Sequence, residues 1–167
     1  MVGTLTTAVG RKAFSYWPGA AAVHLLPGGQ AATDVNDSGH AVGSRYDAVA
    51  GRTIGLEWSG GALRRELALP TGFQLDAVTG INSSGQITGH GSGLGDDPDD
   101  SYGTSPGLLG SAHPAVAPLT LQPPGGDYES YKTLGIENKG RVVGYYAYSR
   151  AMEDTAVSWS APYGSPT

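Results

Sequence analysis

The sequence is poor in several things at once. It has no cysteine, which excludes disulfides, thiolate metal sites and a cysteine nucleophile. Charged residues are only 15% of its 167 positions, where about a quarter is ordinary. Lysine occurs only at 12, 132 and 139, and the net charge is −5. With no basic stripe, nucleic acid and anionic membrane surfaces are not expected partners. No apolar run approaches the roughly 18 residues of a membrane span. The opening MVGTLTTAVGRK lacks an apolar core with a basic stretch before it. The chain as it stands therefore reads as cytoplasmic, or as extracellular if Met1 marks a trimmed boundary. HExxH, the P-loop and a dinucleotide fingerprint followed by a helix are all missing, so no cofactor is indicated.

What is abundant is glycine, at 27 residues, accompanied by 3 Trp, 9 Tyr and 2 Phe. Low charge with many aromatics is the reverse of a disordered composition and suits a turn-rich β protein. One ten-residue phrase occurs three times: DVNDSGHAVG (34–43), GINSSGQITG (80–89) and GIENKGRVVG (135–144). Asn, Asp, Ser and Gly form turns, and the flanking Val and Ile favour strands, so each phrase predicts a β-hairpin. Around the phrases recur a Trp segment (AFSYW, IGLEW, PGLLG, TAVSW) and a Leu-Pro segment. Gly39 to Gly85 spans 46 residues and Gly85 to Gly140 spans 55, the excess being assigned to an insertion at 91–106.

A period of 40–50 residues with about four short strands is the pattern of a β-propeller or a related array. The expected fold is all-β, a single domain of about four short antiparallel blades, with units at roughly 1–43, 44–89, 90–144 and 145–167. Fourteen strand segments are recognisable, including LRRELAL (63–69) as an amphipathic strand. Equivalent buried positions are expected for Trp17, Trp58 and Trp159. Two closures are open: the N-terminal Val-Gly and Trp strands share a blade with 142–159, or the ends pair between two chains in a homodimer.

The pattern Ala-Phe-x-x-Trp, Leu-x-x-Leu-Pro, Ile-Asn-x-x-Gly-x-Ile-Val-Gly resembles the HAF repeat of bacterial, often extracellular, proteins. AFSYW, LLPGG, DVNDSGHAVG and GINSSGQITG carry the likeness. It implies a propeller-like array and no particular chemistry. The sequence departs from the pattern at Gly110, where Trp is expected, and at Glu137, where Asn is expected.

Candidate functional residues follow from departures from the repeat, because units stay alike where packing requires it. The segments after each Val-Gly differ most and supply Arg45, Tyr46, Asp47, His90, Tyr145, Tyr146 and Tyr148. Converging, they would make a ligand pocket with aromatic walls, a cation, an acid and an imidazole. Otherwise the tyrosines pack between blades and Arg45 pairs with Asp47. His90, Tyr146, Glu137 and Asp47 are the candidates for acid–base catalysis. His40 is expected to be an exposed polar residue past its turn. Asp34, Asn36 and Ser38 start like a calcium loop, but its position 12 falls on Arg45, which favours a plain turn. Asp96, Asp97, Asp99 and Asp100 cluster oxygens without a known ligand spacing, so no metal site is assigned.

Three functions compete. A non-catalytic binding module for a small molecule, glycan or protein partner needs only shape, aromatics and a few polar groups. A cofactor-independent cyclase, isomerase or lyase would need the His/Tyr/Asp/Glu site. A scaffold would use open sheet edges. The absence of any motif that demands chemistry favours the first.

Overall fold

The computed structural model describes residues 1–93, 107–111, 119–121, 130–148 and 151–160. Among them are fourteen strands and no helix. They are β1 (Val2–Thr7), β2 (Gly10–Ser15), β3 (His24–Leu25), β4 (Ala31–Val35), β5 (His40–Asp47), β6 (Arg52–Ser59) and β7 (Ala62–Glu66). The second half holds β8 (Phe73–Ile81), β9 (Gln86–Gly93), β10 (Gly107–Ser111), β11 (Leu119–Thr120), β12 (Ser130–Ile136), β13 (Val142–Tyr148) and β14 (Ala151–Trp159).

All pairing is antiparallel, and hydrogen bonding groups the strands into four units: β1–β3, β4–β7, β8–β11 and β12–β14. One bridge, Thr53 to Leu75, joins the middle units into an eight-stranded sheet flanked by two three-stranded sheets. Among the described residues no closed barrel or propeller is formed. Among the described residues the intrachain closure is not formed: β1–β2–β3 and β12–β13–β14 are separate sheets.

The repeated phrase forms the predicted hairpin three times. In the first, the Gly39 amide donates to the Asn36 carbonyl, and the Asn36 amide donates to the His40 carbonyl. Gly39, Gly85 and Gly140 close these turns at φ of 76°, 75° and 88°, the left-handed region that disfavours a side chain. Such a three-residue loop is a type I turn completed by a left-handed residue.

Packing runs from unit to unit. Ala13 and Leu26 of the first meet Leu56 and Trp58 of the second. Val42 of the second meets Leu75, Val78, Ile81 and Ile87 of the third. Leu121 of the third meets Tyr131, Val142 and Trp159 of the fourth.

The tryptophan expectation is corrected for one residue. Trp58 and Trp159 are fully buried, whereas Trp17 is 52% exposed. Register explains it. Trp58 lies opposite Ala41 and Trp159 opposite Val142, each two residues before the Val-Gly glycine. Two residues before Gly3 is Met1, and its partner is Tyr16. Trp17 is one residue too late, and one step along a strand reverses the face.

The insertion is also corrected at its start. Gly91, Ser92 and Gly93 continue β9, opposite Leu75, Gln74 and Phe73, because β8 begins early enough to offer them partners. The rest of the insertion, including Asp96, Asp97, Asp99 and Asp100, lies outside the described residues.

Candidate functional site

Of the residues predicted to converge, Arg45 and Asp47 find local partners. Arg45 donates to Glu66 at 2.8 Å and to Asp47 at 3.4 Å. Asp47 in turn accepts the Val49 and Ala50 amides, which hold its carboxyl below the usual range with help from Arg45. This is the surface ion pair that stood as the alternative to a pocket. Tyr46 is exposed and Tyr145 half-buried. The Tyr146 ring packs on Tyr131 at 6.4 Å, tilted by 49°. Tyr148 ends β13. Glu137 sits in the third turn, paired with Arg141 at 3.2 Å.

His90 faces the fourth unit. Burial pushes its pKa down, the Asp76 charge opposes this, and Lys132 adds to it; a hydrogen bond to the Thr133 backbone favours the charged form. Its Nδ1 is buried without a partner among the described residues. Asp76 does not reach it, because both Asp76 oxygens accept from Ser92 Oγ, at 2.9 and 3.1 Å.

The turns carry more than turn chemistry. Asn36 Oδ1 accepts the Ser38 and His40 amides, and Asn36 Nδ2 donates to the Asn82 carbonyl of the next unit. Asn82 repeats this: its Oδ1 accepts the Gln86 amide, and its Nδ2 donates to the Glu137 carbonyl. Asp34 accepts the Ile81 amide at 2.9 Å. Asp34 and Asn36, which resembled the start of a calcium loop, are thus engaged with backbone. No cluster of three or more His, Asp or Glu suited to a metal occurs among the described residues.

The densest polar site is one the sequence did not single out. Glu57 on β6 is fully buried. Its Oε1 accepts Arg64 Nη1 at 2.6 Å and His40 Nδ1 at 2.9 Å, and its Oε2 accepts Arg65 Nε at 2.7 Å. Burial alone would raise the Glu57 pKa; the bonds from Arg65, His40 and Arg64 outweigh it and hold the carboxyl below its ordinary value. His40 is accordingly half-buried and bonded, not a free surface residue.

Two neighbouring arginines reach one carboxylate because β7 bulges. Leu63 pairs with Trp58 and Arg65 with Glu57, leaving Arg64 as the extra residue. In a regular strand consecutive side chains point to opposite faces. A bulge sets two residues against one and turns both toward it.

Glu57 is also the odd member of its repeat position. It lies one step past Leu56, the partner of Gly43. The same position holds Ser15 beside Phe14, Leu109 beside Leu108 and Ser158 beside Val157, so Glu57 is its one charged member. The cluster opens onto a cleft of about 290 Å³. Ser38, His40 and Arg64 form one wall, and the Ser83–Gly85 turn of the next unit forms the other. At the preceding seam the Trp17 ring lies 3.7 Å from where a Cβ on Gly39 would stand. Gly85, the equivalent of Gly39, is buried and lines the cleft.

No protein-family model, curated protein or solved structure matches this chain.

Proposed function

We propose that the chain is a non-catalytic binding module of HAF-repeat type that holds a small molecule, glycan or protein segment at the seam between its second and third units. One observation carries this reading. The repeat is broken most sharply at Glu57, and the charged cluster so created is locked in place beside an open cleft. A locked polar group loses little freedom on binding, which favours recognition. Nothing in the cluster is arranged as a nucleophile with a base, since the Glu57 carboxylate is committed to three donors.

In this reading the array is propeller-like and is completed by a second copy. The strands β1 and β14 each lie at the edge of a sheet, and an open edge favours pairing with another strand. Light scattering at tens of micromolar is expected to give twice the 17.1 kDa chain mass. A strictly monomeric species refutes the dimer.

The alternative, a cofactor-independent acid–base enzyme, rests on the buried Nδ1 of His90. A screen of metabolites and glycans by amide-detected NMR separates the two. The binding reading expects shifts centred on the Ser83–Gly85 turn and recovery of the compound unchanged. Shifts centred on His90, or a new product, favour the enzyme.

A further inference from the structure

Building on the binding-module reading, we propose that the cleft over Gly85 binds a small anion, a carboxylate or phosphate group, with Arg64 as its principal contact. Charge is the first reason. Arg64, Arg65 and His40 all meet the single carboxylate of Glu57. Arg64 lines the cleft, and none of the described residues lining it is acidic.

Geometry is the second. Arg64 commits Nη1 to the buried Oε1 of Glu57, and its side chain is 40% exposed at the cleft wall. Nη1 also lies 3.4 Å from His40 Nδ1. Its Nη2 and Nε have no protein partner among the described residues. A guanidinium fixed along one edge still presents a planar set of donors, the geometry that pairs with carboxylate or phosphate. Across the cleft, the hydroxyls of Ser38, Ser83 and Ser84 likewise have no protein partner among the described residues, and hydroxyls donate to anions readily. The volume of about 290 Å³ suits a small head group rather than a large ligand.

The test is a titration of the full chain, followed by amide NMR at constant ionic strength, with inorganic phosphate, with succinate and with sodium chloride as control. Saturable shifts at Ser83, Ser84 and Gly85 are expected with phosphate, succinate or both. Saturation by phosphate alone assigns a phosphate-bearing ligand, and by succinate alone a carboxylate-bearing one. Arg64→Gln should weaken binding at least about tenfold, the loss of one charge-assisted contact. Because that variant also removes a partner of Glu57, Ser84→Asp serves as the second. It places a carboxylate in the cleft without touching Glu57 and should abolish binding at an unchanged urea midpoint. Arg11→Gln, on β2, should leave binding unaltered. Shifts that match sodium chloride, or that survive both Arg64→Gln and Ser84→Asp, overturn the proposal. If neither anion binds but a neutral glycan moves the same amides, the anion assignment falls and the binding-module reading stands.

Discussion

Asn36 and Asn82 are coupled across a unit boundary, with Asn36 Nδ2 donating to the Asn82 carbonyl at 2.9 Å. Asn82 passes the same contact to Glu137 at 3.2 Å. Each asparagine thus closes its own turn with its oxygen and anchors the next turn with its nitrogen. Aspartate would serve the first role and fail the second, having no donor. Asn82 is buried, so Asn82→Ala should cost about 2–3 kcal/mol by orphaning its partners. Asn82→Asp should cost at least as much, and Asn36→Ala less. Urea denaturation at neutral pH measures all three.

The tryptophans make a sharper test of register. Trp58 is fully buried and its Nε1 donates to the Pro27 carbonyl at 2.8 Å. A Cβ on Gly29 would collide with its ring, so the packing around it is tight. Trp58→Ala should destabilise by roughly 3–5 kcal/mol. Trp17→Ala should cost no more than about 1 kcal/mol, as for most exposed positions. In fluorescence, only Trp17→Phe should remove a water-exposed component. Equal losses from the two alanine variants would mean that Trp17, not Tyr16, sits in the repeat position.

Removing the charge of Glu57 should leave two guanidinium groups facing a neutral amide. Glu57→Gln is expected to cost about 3 kcal/mol, the lower end for a broken buried pair, because Arg64 can turn to water. His40→Gln, at a partly exposed partner, should cost about 1 kcal/mol. Chemical denaturation of the single and double variants gives both values. A near-zero effect of Glu57→Gln would show that the cluster is not held by charge.

Two groups set the expected pH dependence. Burial holds the native His90 pKa below its unfolded value of about 6.5. The unfolded chain therefore takes up this proton first. Stability should fall as pH drops below about 6.5 and level off below the native value. Glu57 is held below the ordinary carboxylate range. Its contribution is complete above about 4.3 and is lost as pH falls through the native value. Urea midpoints measured against pH should show both declines. His90→Gln should flatten the upper one and Glu57→Gln the lower.

The hairpins were legible in the sequence because their causes are local. A turn needs Asn or a near equivalent at its start and Gly at the left-handed position, and neighbours within six residues supply both. The strand alternation and the unit order follow from the same short-range preferences, which is why the all-β class was available from residues alone. The Trp17 misassignment shows where this ends. AFSYW and IGLEW align by eye, yet only the pairing of Gly3 with Phe14 and Gly43 with Leu56 shows the one-residue offset.

The Glu57 site depended on tertiary structure altogether. The sequence presents Glu57 as one acid in a strand and Arg64-Arg65 as two charges that an ideal strand would send to opposite faces. A bulge brings both arginines to the same carboxylate, and His40 joins from the neighbouring strand. The cleft beside them needs a turn from the next unit, some 45 residues further along. Turn propensity acts over a few residues and can be read in order. Burial of a charge, and the donors that make it tolerable, is a property of what arrives from elsewhere in the chain.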